Sequence, residues 1–372
     1  MAATQRAAKK QGRRAGRGGL IAAYLLVVSL IVASAAFVFG FEVGGPRIAK
    51  PAAAEVSTPQ PAPPRTVGSL AVPPRPAPLP AFRSFAPDEL AELIEVTAEG
   101  QRLPRISPSG WMPWIAHARR FDPSGPPARV GVLMVNLGAN EALMKRAIEA
   151  LPGEVSLAFL PSTPDLPRWL GLARERGHES FLMLPVADPN GPAERGIRPI
   201  ETTADPAENL RRLRAAMARG EGYVGLVIPP SGPVSQSEPT VRPLVKEIAD
   251  RGLALVEINP TQASAALQRL TAEMGVGYAR TTDVLDYKLA GGSVAGNLDR
   301  LVAWTAETAA EQPPRHAFGV VQPDDEAIDA IVAWSRRRSE GPPVSLVPII
   351  GHFECRDACM ARMRVQPAQL RP

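Results

Sequence analysis

One stretch, Val-Gly-Val-Leu-Met-Val-Asn-Leu-Gly at residues 130–138, constrains the fold more than any other. A run this short and apolar, closed by glycine, reads as a strand buried on both faces, and such strands belong to parallel sheets covered by helices. The chain then repeats the theme. Leu143, Ala147 and Ile148 mark one helical face, and residues 155–160 and 181–184 are strand-like. Asp205-Pro-Ala-Glu208 is a helix start, with a capping carboxylate, proline at the first helical position and Glu three residues after the cap. Leu210, Leu213 and Met217 continue its stripe. Residues 224–228, 253–258, 318–321 and 345–350 complete seven strand-like runs. Further helical faces lie at Val241, Leu244, Val245 and Ile248, and at Ile328, Ile331 and Val332. About seven strand-helix units predict an α/β fold whose parallel sheet is either an irregular (β/α) barrel or open and doubly wound. No Gly-rich phosphate loop is present, so a nucleotide site is not expected.

The segment upstream concerns location. Residues 20–41 contain no charged side chain and are long enough to span a bilayer as a helix. Arg6, Lys9, Lys10, Arg13, Arg14 and Arg17 precede them with no acidic residue among them, which by the positive-inside rule predicts a single-pass membrane anchor with the basic tail in the cytoplasm and the globular part on the far side. A cleaved signal peptide is the competing reading, because Ala33-Ser34-Ala35 is a small-residue cleavage pattern. The apolar run continues past that site, which favours the anchor. Without those six basic residues, 36 Lys and Arg face 37 Asp and Glu. The pI of about 9.5 therefore belongs to the tail, and nucleic acid is excluded as the expected partner.

Twelve of the chain's 41 prolines fall in residues 42–87, which predict a semi-rigid spacer. The expected organisation is a basic tail (1–19), anchor (20–41), Pro/Ala-rich linker (42–87), globular domain (88–352) and C-terminal tail (353–372). Within the domain, residues 88–95 predict a short helix. Residues 103–121, with Trp111 and Trp114, predict an extended lead-in to the strand at 130–138.

The lead-in and that strand, with Leu157-Ala-Phe-Leu-Pro161, Gly177-His-Glu179, Leu182-Met-Leu-Pro185, Gly222-Tyr-Val-Gly225, residues 280–286 and Leu346-Val-Pro348, form an ordered set. In it the chain resembles the divergent polysaccharide deacetylases, a branch of the NodB-like carbohydrate deacetylases. The resemblance covers roughly residues 100–350 and implies an irregular (β/α) barrel. It also implies a divalent metal held by one Asp and two His, with a second Asp activating the metal-bound water.

The residues at those positions depart from that implication. The family's paired aspartates are Val135 and Asn136 here, and an Asn can neither act as a general base nor ligate a zinc-type metal well. A histidine is replaced by Met183, a second by Pro229, an Asp-Ser pair by Glu257 and Ile258, and a Gly-His-Pro by Val321, Gln322 and Pro323. No catalytic residue, metal ligand or other cofactor site is expected. Asn136, Asp165, Asp188, Glu257 and Gln322 are expected to line a polar groove for an envelope glycan or a periplasmic protein. Asp324 and Asp325 could join them or cap the next helix.

Of the four histidines, His117, His178 and His316 are expected at the amino end of the barrel, and His352 alone at the carboxyl end. Cys355 and Cys359 fit a local disulfide, free thiols, or a metal site with His352. The expected function is binding at an envelope barrel that has lost metal-dependent hydrolysis. The alternatives are a carbohydrate deacetylase or hydrolase using Glu257 in a non-standard site, and a scaffold for envelope assembly.

Overall fold

The computed structural model describes residues 80–122, 128–187, 196–230, 232–288, 292–307, 316–337 and 344–353. The basic tail, the apolar stretch 20–41 and the linker as far as residue 79 lie outside these, as do Asp188, Cys355 and Cys359. Among the described residues no helix is long and apolar enough to cross a membrane.

A small antiparallel hairpin comes first, β1 (Ile94–Val96) paired with β2 (Arg102–Pro104). The main sheet holds β3 (Ala128–Leu137), β4 (Ser156–Phe159), β5 (Ser180–Met183), β6 (Gly225–Ile228) and β7 (Ala254–Glu257). It continues with β8 (Tyr278–Arg280), β9 (Asp283–Val284), β10 (His316–Val321) and β11 (Val344–Leu346). Its path is β8-β7-β6-β5-β4-β3-β10-β9, with β11 also on β3, and every pairing is parallel.

The two ends of this path are consecutive in the chain. Thr281 N donates to Glu257 O on β7, and the next residue, Thr282, donates to Phe318 O on β10. Residues 278–284 thus act as one bent strand that changes partner midway, and the sheet curls until this segment bridges β7 and β10. These two short strands are not visible in the apolar pattern, and they raise the count above seven.

Side chains alternate across the curled sheet and build two cores. Val130, Val132, Met134, Leu157, Phe159, Leu182, Leu226 and Leu255 pack outward against helices such as Glu141–Ala150, Pro206–Met217 and Glu238–Asp250. Leu133, Val135, Ala158, Phe181, Met183, Val227, Val256 and Val320 pack inward on one another. Burial on both faces explains why the strands read as continuous apolar runs. Gly225 is part of this packing, since a Cβ there would lie 2.2 Å from Ala254 O.

The amino end of the barrel is plugged by two segments. The lead-in contributes Met112, Trp114 and Ile115, and Trp114 N donates to Gly252 O just ahead of β7. From the other terminus come Ile349, fully buried, and Phe353, whose ring lies 5.8 Å from Trp114 and 6.4 Å from Phe181. The chain is already held at Ala81, whose carbonyl accepts from Arg120 N, and at Phe82, which lies under the Arg174 guanidinium.

Three sequence readings are corrected here. The helix expected at 88–95 stops at Ala91, and Ile94 enters β1. The strand expected at 345–350 ends at Leu346, and residues Ile349–His352 form a 3-10 turn after Pro348, which has no N–H to extend the ladder. His352 does not stand at the carboxyl end. β11 pairs only with Ala128, Arg129 and Val130 at the beginning of β3, so the residues after it enter the amino end. There the His352 ring occupies the space over Gly131, where a Cβ would come within 2.5 Å of Nε2, and lies 5.6 Å from the Phe318 ring.

Candidate functional site

In a parallel barrel the carboxyl ends of the strands carry the loops, and side chains there converge from several strands. On β3 this end is shaped by a bulge. Met134 pairs with Leu157 and Leu137 with Phe159, so β3 carries one residue more than β4 between the two pairings. Asn136 is in this bulge with φ of 57°, a left-handed conformation that Asn tolerates better than most residues. Gly138 follows with φ of 137°, and a Cβ there would lie 2.0 Å from Thr163 Oγ1. That hydroxyl donates to Leu160 O at 2.6 Å, so glycine is what lets the β3 and β4 loops meet.

The bulge aims Asn136 across the mouth. Its Nδ2 donates to Gln322 Oε1 at 3.1 Å, joining the ends of β3 and β10. Gln322 N donates to the Asp286 carboxylate at 2.9 Å, which brings in the end of β9. Below this line the interior is carbon. Val135, Met183 and Ile258 are 2%, 3% and 6% exposed and Val227 is fully buried, while Pro229 is half-buried at the end of β6.

The other groove candidates are not brought to this line. Glu257 alternates with the inward Val256 and so faces the helices. It is 1% exposed and accepts from Ser264 N at 2.9 Å and from the Tyr278 hydroxyl. Asp165 starts the helix Leu166–Glu175 with an exposed side chain 4.0 Å from Arg168. Asp324 caps its helix by accepting from Ala327 N, and Asp325 pairs with Arg146.

A divalent metal of the implied kind needs carboxylate and imidazole donors at the mouth. The residues present are two neutral amides, a thioether, a proline, aliphatic side chains and a single carboxylate, Asp286, with no imidazole beside it, and they do not fit it. Among the described residues no group of three His, Cys, Asp or Glu side chains is placed to hold a metal ion. Asp286 was not singled out by sequence, because a two-residue strand gives no pattern from which to recognise the residue at its end.

A buried carboxyl and two buried imidazoles with displaced pKa values lie at the amino end. Glu179, ahead of β5, is 1% exposed and accepts from Ser156 Oγ at 2.7 Å, Ile350 N at 3.1 Å and Arg119 N at 3.2 Å. Burial pushes its carboxyl up to about 7 despite those bonds. His117 caps a short helix, Pro113–Ala116, that interrupts the lead-in expected to be extended, and it is pushed down to about 3 by burial, with Arg174 adding to the shift. His178 is also lowered by burial, and its ring nitrogens lie 2.8 Å from Val155 O and 3.1 Å from Ile148 O. His316 opens β10 at the same end, in register with Arg129.

Comparison with known proteins adds a family and a fold. A family model described as divergent polysaccharide deacetylase matches residues 132–350, more than half of the chain. Among solved structures, an uncharacterized protein, ATU2773, from Agrobacterium tumefaciens C58 is similar at 25% identity with a TM-score of 0.59, covering 68% of this chain and 99% of its own. A putative cellobiose-phosphate cleavage protein from Enterococcus faecalis V583 is similar at 12% identity and a TM-score of 0.40, covering 57% of this chain and 94% of its own. No curated protein matches the chain.

Proposed function

The chain belongs to the divergent polysaccharide deacetylase family, and from that premise we propose that it binds a glycan of the bacterial envelope at its carboxyl-end mouth without metal-dependent hydrolysis. The observation that carries this reading is the Asn136 to Gln322 hydrogen bond above a mouth filled with carbon, where the resemblance implies acid, base and metal. A neutral amide pair cannot take a proton from water. It can donate to and accept from hydroxyl and acetamido groups, and the Asp286 carboxylate beside it adds an acceptor. In this reading residues 20–41 anchor the chain in the inner membrane with the barrel in the periplasm, and the proline-rich spacer sets its distance from the bilayer.

The enzymatic alternative rests on Glu257, whose carboxylate is occupied by Ser264 and Tyr278 on the helix side of the sheet. The test is acetate release from an N-acetylated envelope glycan by the purified full chain, with and without chelator, alongside retention on immobilised peptidoglycan. Retention without acetate release is expected. Chelator-sensitive release of acetate would overturn the reading, and a stoichiometric protein partner with no sugar retention would replace it with a scaffold role.

A further inference from the structure

Among the described residues three large apolar side chains stand exposed: Val96 at 61%, Tyr287 at 58% and Trp304 at 38%. Val96 belongs to the β1–β2 hairpin and Trp304 to the helix Val294–Glu307. Tyr287 alone of the three stands at the carboxyl-end rim, in the segment following β9. It is one residue from Asp286, whose carboxylate accepts from Gln322 N.

The exposure of this ring is not that of a frayed loop. Asn297, 1% exposed, donates through Nδ2 to Leu285 O at 2.6 Å and to Tyr287 O at 3.3 Å. On the other side Asp286 binds the backbone of Gln322, and Lys288 Nζ lies 3.0 Å from the Glu326 carboxylate. The backbone under Tyr287 is therefore fixed by a buried amide, by the strand end that carries Gln322 and by the next helix. Burying a large aromatic ring stabilises a fold, so one held open on a fixed backbone has given up that contribution. A tyrosine also has only two side-chain torsions to lose on binding, which makes it an inexpensive contact surface.

A pyranose ring is amphipathic, with a face of C–H groups and a rim of hydroxyls, and an aromatic face is the apolar complement of the first. We propose that Tyr287 is the stacking platform of the mouth, taking the C–H face of an N-acetylhexosamine unit whose polar edge bonds Asn136 and Gln322. This inference rests on the glycan-binding reading above and assigns its apolar half to a residue outside the inherited site.

The test is titration of the detergent-solubilised full chain with an N-acetylglucosamine tetrasaccharide, followed by calorimetry, for wild type, Tyr287→Ala, Tyr287→Phe and Gln322→Ala. Tyr287→Ala should weaken binding about two- to tenfold, the scale of a lost aromatic contact, while Tyr287→Phe keeps wild-type affinity. Both should melt with wild type, because the side chain is exposed. Full affinity in Tyr287→Ala with loss in Gln322→Ala would overturn the platform and leave the glycan reading intact. Equal loss in Tyr287→Phe and Tyr287→Ala would also overturn it, because the hydroxyl and not the ring face would then carry the contact. Failure of wild type to bind the tetrasaccharide would overturn the platform and the reading together.

Discussion

At the amino end of the barrel a carboxylate, Glu179, and the imidazoles of His117 and His352 are buried among the strands. At the carboxyl end Val135, Met183 and Ile258 fill the interior, and the groups at the rim that link β3 to β10 are two neutral amides. Strongly displaced pKa values commonly mark functional sites. Here they mark the plug. Glu179 joins β4, the lead-in and the 3-10 turn through three accepted hydrogen bonds, a structural task for which a buried acceptor with several lone pairs is suited. Displaced buried groups therefore point to the closed end of this molecule, whereas the displaced group beside the mouth, Lys288, is an exposed ammonium raised by its bond to Glu326, and ligand chemistry must be sought there.

The contrast can be broken most directly at the plug. Ile349 is fully buried in the inner core, and Ile349→Ala should cost about 2–5 kcal/mol in chemical unfolding. A loss below about 0.5 kcal/mol, the scale of ordinary surface substitutions, would mean that the amino end is not a closed core.

The pH dependence sharpens the comparison. With its carboxyl raised from 4.5 to about 7, folded Glu179 keeps a proton that the unfolded chain has released, so stability falls as pH rises from about 4.5 to 7. With its imidazole lowered from 6.5 to about 3, folded His117 refuses a proton that the unfolded chain accepts, so its contribution is lost as pH falls from about 6.5 toward 3. The slopes oppose each other between about 4.5 and 6.5. Glu179→Gln removes one of them and should leave stability rising with pH in that window, by as much as about 1.4 kcal/mol per unit for a single proton. Unfolding curves at pH 5, 6 and 7 check this, and a profile unchanged from wild type would show that Glu179 titrates as an ordinary carboxylate.

The smallest stability effect belongs to the mouth. Gln322→Ala removes one hydrogen bond made by an exposed side chain and should change unfolding by no more than about 1 kcal/mol, while abolishing retention on peptidoglycan. A larger stability loss without a binding loss would make the amide pair a strut of the fold.

The barrel was legible in the sequence because strands buried on both faces leave nearly continuous apolar runs, as at β3, β5 and β6. The same continuity hides which side chains point inward. Nothing in Leu-Val-Glu-Ile at 255–258 tells that Val256 faces the interior and Glu257 the helices. The depth of β11 along β3 was equally unreadable, which put His352 at the wrong end. Asn136 and Gln322 were legible as candidates because each stands where the family resemblance implies a catalytic or metal-binding residue. Their mutual bond depends on the bulge in β3, a one-residue register change that has no pattern of its own. The helices Leu166–Glu175, Ala265–Met274 and Val294–Glu307 were not read in advance, although Ser264 at the second accepts from Leu267 N as a capping residue does.

The bent segment 278–284 gives the barrel wall an unusual dependence on one stretch of chain. β7 and β10 both draw their neighbour from it, through the amides of Thr281 and Thr282. A cut between those two threonines would remove no side chain, and it would turn the Thr282 amide that donates to Phe318 O into a chain-terminal amine. It would still free two strand edges from a common tether, and unpaired edges are templates for joining other chains. A nick at this one peptide bond would convert a self-contained ring into a sheet open to aggregation.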